Sequence, residues 1–169
     1  MRLQISTNKP LNNSLSYNKL EICGGDMLIE GFISIEDSGI PTFVIKQPEA
    51  DWDEVLLSGF LTSIHEFCSL VLNSGNLSNI QFQEKQIFCS FASKLEIKFV
   101  LVAKKSIPND IAEYCLHELQ EQYTVFFTTK NKKKKKVTKT QSDKFSKSIA
   151  VPTIEKWETK ALDLELMDD

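Results

Sequence analysis

The side chains able to do covalent or metal chemistry are few and scattered. Cys23, Cys68, Cys89 and Cys115 form no C-x-x-C pair, and the only histidines are His65 and His117. Zinc sites need such ligands in close, paired spacings, so no metal site is expected. There is no Gly-rich phosphate loop, and no Ser-His-Asp or Cys-His order with a context that would activate a nucleophile. No catalytic residue and no cofactor is predicted. Cys68, Cys89 and Cys115 fall on apolar faces and read as small buried hydrophobes. Both histidines read as surface residues without a chemical role.

The chemistry that remains is electrostatic. Residues 130–139 read KNKKKKKVTK, with Lys132, Lys133, Lys134, Lys135 and Lys136 consecutive. The overall charge of −3 conceals this: residues 1–129 carry nine basic against sixteen acidic groups, residues 130–148 nine against one, and residues 149–169 two against six. A self-repelling tract of this kind is expected to be disordered when free. It reads as a solubilising linker or as an attachment to an anionic membrane, where each lysine near the surface contributes about 1 kcal/mol. A nucleic-acid- or ribosome-associated role through the same lysines is the alternative and ranks below lipid, because no aromatic residues are interleaved to stack on bases. Phosphorylation of Thr138, Thr140, Ser142, Ser146 or Ser148 would weaken any such attachment.

The elements that would carry a binding surface lie in the acidic part. Residues 1–20, rich in Asn and Ser, read as a flexible arm with a short strand at Arg2–Ile5, and Cys23-Gly24-Gly25-Asp26 as a turn. Met27–Glu36 has the near-continuous apolar character of a strand covered on both faces. Asp37-Ser38-Gly39 signals a tight turn, and Thr42–Lys46 returns as a second strand. In Asp51–Leu72, Val55, Leu56, Gly59, Phe60, Ile64, Phe67, Cys68 and Val71 recur at helical spacing, which predicts a core helix capped by Asp51 or Asp53. Gly59 in its middle suggests close approach to the backbone of a sheet. Strands follow at 80–82, 87–91 and 95–102. A second helix carries Ile111, Cys115, Leu119, Tyr123 and Phe126 on one face. The expectation is an α+β domain over 21–129 with a five-stranded antiparallel sheet, order β-β-α-β-β-β-α, and helices packed on it. The second helix is expected beside the first or at the opposite edge of the sheet. A flexible basic linker (130–150) and an acidic amphipathic segment (151–169) complete the chain.

This order, with the hairpin GFISIEDSGIPTFVIK and the helix VLLSGFLTSIHEF, resembles the longin domain of the SNARE-like, profilin-like superfamily and the related roadblock domains. The resemblance covers Met27–Phe127 and rests on core pattern and topology, without a catalytic signature. A roadblock domain would add a helix before the first strand. The resemblance implies a non-enzymatic adaptor that forms homo- or heterodimers and presents its second strand and long helix to a small GTPase or a membrane-traffic component. Carried onto this chain, that surface comprises Phe43 and Ile45 in the strand with Trp52, Ser58, Thr62 and Glu66 on the helix. An edge strand with unpaired backbone groups is the physical basis for such recognition. Trp52 reads either as an interface anchor or as a residue closing the hairpin over the helix.

In the C-terminal segment, Ile154, Trp157, Ala161 and Leu164 form one narrow helical face. A helix this short is marginal alone, so it is expected to bind a partner's groove or to dock back on its own domain. The polar N-terminus carries no secretory pattern, which points to a reducing, cytoplasmic setting with peripheral membrane contact through the lysines.

Overall fold

The computed structural model describes residues 17–19, 27–130 and 137–167. The arm residues 1–16, the Cys23–Asp26 turn and Lys132–Lys136 lie outside the described residues. At the centre is β2 (Ile29–Glu36), buried at every position before Glu36, as its Ile- and Phe-rich sequence requires. Asp37-Ser38-Gly39 then reverses the chain. Gly39 takes φ +85°, a value favouring glycine, and its amide donates to Glu36 O at 2.9 Å. β3 (Pro41–Lys46) pairs back antiparallel, and β5 (Lys85–Ala92) and β6 (Ile97–Lys104) continue the sheet on the other side of β2. With β1 (Tyr17–Lys19) and β4 (Asn79–Gln81) at its ends, the sheet order is β1-β3-β2-β6-β5-β4.

The five expected antiparallel strands and the order β-β-α-β-β-β-α are present. One addition changes the edge: β1 pairs in parallel with β3 along Val44–Lys46. The second strand of the hairpin is therefore internal there, and β4 is the end of the antiparallel array.

Both faces of the sheet are apolar, which decides where the helices go. Ile33, Ile35, Val44, Ile87, Val100 and Val102 form one face, covered by α1 (Glu54–Leu70) through Leu57 and Leu61. Phe32, Phe43, Phe88, Phe99 and Leu101 form the other, covered by α2 (Asn109–Lys130) through residues including Cys115, Leu119 and Tyr123. The second helix thus lies on the face opposite α1. It is neither beside it nor at an edge, because a helix on one face alone would leave those phenylalanines in water.

The linker expected over 130–150 is also corrected, over the described residues 137–150. After residues 131–136 the chain forms α3 (Lys139–Phe145), a π-helical turn (Ser146–Ala150) and α4 (Val151–Glu165). Thr138 caps α3, and the Gln141 side chain accepts from the Thr138 amide to close a capping box. Phe145 is fully buried, 5.2 Å from the Phe43 ring and 5.6 Å from that of Tyr123. Pro152 cannot donate a helical hydrogen bond. The turn before it widens, with the Val151 amide reaching back to Ser146 O.

The C-terminal segment docks on its own domain, beside α2. Ile154 and Ala161 are buried in the α2-side core and Trp157 is half-buried against it, whereas Leu164 is exposed. Thr153 and Glu158 complete the buried face. The Glu158 carboxylate accepts from the amides of Leu28 and Ile29, the latter at 2.9 Å, so α4 terminates the start of β2. Burial pushes the Glu158 carboxyl above its ordinary value, and the two amides only partly oppose this.

Candidate partner-binding site

Seventeen residues form α1, and its sequence is apolar on two opposite sides. The side against the sheet uses Leu57, Ser58 and Leu61. Asp53 caps the first turn, accepting from the Leu56 amide at 2.8 Å. On the far side Leu56, Phe60, Phe67 and Leu70 follow one another at spacings of four, seven and three, with the small Gly59 and Ser63 between them. All six are exposed, Leu56 at 75% and Leu70 at 82%. Val55, Val71 and Leu72 extend the patch. The face predicted as core from its spacing is therefore mostly the outer one. A second, smaller apolar strip, with Ser58 at its centre, faces the sheet.

Gly59 follows the same correction. A Cβ built there meets nothing within 4 Å, so it makes no close approach to the sheet. It leaves a flat spot on the outer face, where another backbone can come near.

Beside the N-terminal half of α1 lies an open groove of about 390 Å³ between the helix and the β4–β5 turn. Leu57, Ile87 and Val102 line it from the core, and Trp52, Phe82 and Lys85 from its margins. Phe82 is itself exposed. The groove thus runs between α1 and the turn that follows the edge strand β4.

Of the residues predicted to contact a partner, Phe43 and Ile45 are buried on the opposite face of the sheet. Alternation places them inside, and β1 occupies the backbone edge beside Ile45. Ser58 is 0% exposed, and the Oγ atoms of Ser58 and Thr62 are buried without a hydrogen-bond partner. Thr62 packs over Gly39, where an added Cβ would lie 3.2 Å from Oγ1. Glu66 is exposed as expected.

Trp52 takes the closing role. Its ring covers Gly31, where any Cβ would lie 2.7 Å from it, and its Nε1–H donates to Glu30 Oε2 at 3.2 Å. Lys46 Nζ sits 4.9 Å from the ring centre and donates to the Trp52 carbonyl. Lys85 bridges Glu30 at 3.1 Å and Asp51 at 2.5 Å. Its hydrogen bond lowers the Asp51 pKa. For Lys85, burial pulls downward but the two carboxylates outweigh it and raise the pKa. These pairs tie the α1 entry to β2 and β5.

Among the described residues no group of three His, Cys, Asp or Glu is placed to hold a metal ion. Burial pushes the Cys89 thiol up to about 12 and that of Cys115 higher still, which keeps both as unreactive thiols. His65 packs against Phe91, with ring centres 5.6 Å apart. Its pKa is lowered by burial and by Lys98. No helix among the described residues is long and apolar enough to cross a membrane.

No family model matches the chain, and no curated protein matches it. Among solved structures, MglB of Myxococcus xanthus superposes with a TM-score of 0.50 at 8% identity, over 63% of this chain and 83% of MglB. A Roadblock/LC7 domain from Streptomyces avermitilis gives 0.47 at 9% identity, over 60% of this chain and 87% of that domain. The architecture is an α+β fold of the longin and roadblock type, as the resemblance implied.

Proposed function

We propose that this chain is a non-enzymatic adaptor domain of longin type that works by docking a second protein on the outer face of α1 and the β4 end of the sheet. The observation that carries this reading is a helix that is apolar on two sides while, among the described residues, one side is covered and the other exposed. A helix hydrophobic all round belongs in a core, and a contiguous exposed apolar patch on a folded domain marks an interaction site. A further chain on that face would supply the missing half of the core, with the groove beside Trp52 as a socket for an apolar anchor. The longin and roadblock resemblance supports pairing with a domain of like architecture and recognition of a small GTPase by the assembly. On this reading Lys132–Lys136, between α2 and α3, brings the platform to anionic membrane in the cytoplasm.

Light scattering on a sizing column tests it, with the full chain alone and mixed with candidate small GTPases. The full chain is required, because a truncation at 129 would strip Phe145, Ile154 and Ala161 from the core. A rise in mass that Leu56→Asp or Phe67→Asp abolishes supports the reading. A rise indifferent to both substitutions, or no rise with any GTPase or second copy, defeats it.

A further inference from the structure

The patch has a charge pattern that selects among partners. Residues 47–84, which supply α1, its flanking turns and β4, contain no lysine or arginine. They contain six acidic residues: Glu49, Asp51, Asp53, Glu54, Glu66 and Glu84. Lys85 compensates Asp51 and Lys46 lies 3.6 Å from Glu54, both cations coming from outside the stretch. Glu49, Asp53, Glu66 and Glu84 are exposed; Asp53 caps α1, Glu66 lies on it and Glu84 lines the groove beside it.

We propose that the outer face of α1 is built for a different chain, one presenting an apolar surface rimmed by lysine or arginine, and that this protein does not pair with itself there. The inference rests on the reading of α1 and β4 as the docking face and adds the identity of what docks. A two-fold self-pair would set the same acidic rim against itself. Like charges across an interface act against the wrong partner, and opposite charges favour and steer the right one. The same carboxylates make anionic lipid a poor occupant.

The test isolates charge by using this protein as its own probe. In one copy, Glu49→Lys, Glu66→Lys, Gln81→Lys, Gln83→Lys and Glu84→Lys are combined, all at exposed positions, leaving the apolar face unchanged. Circular dichroism and the thermal midpoint verify that this copy is folded. Each copy alone, and the two mixed, are then sized by light scattering at about 0.15 M ionic strength, where screening acts over ~8 Å. The expected result is two monomers that form a one-to-one complex on mixing. That complex should weaken at least about tenfold as salt is raised to roughly 1 M, where screening acts over ~3 Å, and should be lost when Leu56→Asp is placed in either copy. A wild-type self-dimer broken by Leu56→Asp overturns this inference and leaves the adaptor reading intact. A mixture that stays monomeric overturns it as well. A mixed complex insensitive to Leu56→Asp places the contact elsewhere and overturns both.

Discussion

Helices α1 and α4 have similar lengths, 17 and 15 residues, and apolar residues at helical spacing in both. Their places in the molecule are the reverse of what those spacings suggest. The strongly apolar α1 keeps most of its large side chains in water. The acidic α4 buries Ile154 and Ala161 together with a threonine and a glutamate. The difference shows that hydrophobicity measures what a helix needs covered, while burial depends on what the rest of the chain supplies. For α4 the domain supplies an aromatic core and two free amides at the start of β2. For α1 it supplies one sheet face, and among the described residues the other side stays uncovered.

Substitutions can sharpen that contrast. The largest effect is expected at the C-terminal unit, where Phe145→Ala should lower stability by about 3–5 kcal/mol, as large aromatic truncations in cores do. Urea denaturation of the full chain measures it, and a loss under 1 kcal/mol would show that α3 is not part of the core. Glu158→Ala leaves the Leu28 and Ile29 amides without their acceptor and should cost roughly 1–3 kcal/mol.

The same carboxylate gives a pH signature. Its folded pKa is raised, so between the ordinary carboxylate value and the raised one the folded state holds more protons. Its contribution to stability therefore falls as pH rises through that window and is level above it. Glu158→Gln should remove that slope. Denaturation midpoints of the two proteins against pH would show parallel curves if Glu158 is not the cause. Removing the α3 cap with Thr138→Ala should cost about 1 kcal/mol, visible as earlier amide exchange in residues 139–145.

The smallest stability effect is expected on α1, where Leu56→Asp or Phe67→Asp should stay within about 0.5 kcal/mol while removing association. An α1 variant that unfolds the isolated chain would erase the distinction between the two helices.

Much of the architecture was legible from the residues. The β2–β3 hairpin announced itself through Asp37-Ser38-Gly39, and the strand expected at 95–102, found at Ile97–Lys104, through alternation that sets Ile97, Phe99 and Leu101 on one face. The orientation of α1 was not legible, because a helix with two apolar sides gives the same period whichever side is covered. The role of Phe43 and Ile45 turned on β1, three residues without any periodicity of their own. Residues 139–150 were hidden by lysine-dominated composition. Their signal was the Thr138-x-x-Gln141 capping box ahead of Phe145 and Ile149. Glu158 had none, since its partners are backbone amides 130 and 129 residues away in sequence.

That last separation has a consequence for how the protein is made. During synthesis the sheet and α2 emerge first, and the cluster of Phe43, Tyr123 and Phe127 lacks the cover of Phe145, Ile154 and Ala161 until those residues have cleared the ribosome. Domains fold as units during translation, and exposed apolar surface on incomplete ones drives misassembly. A ribosome stalled in the lysine codons of residues 132–136 would hold the strands outside while α2 is still within the exit tunnel and α3 and α4 are not yet made, leaving the phenylalanine face of the sheet open.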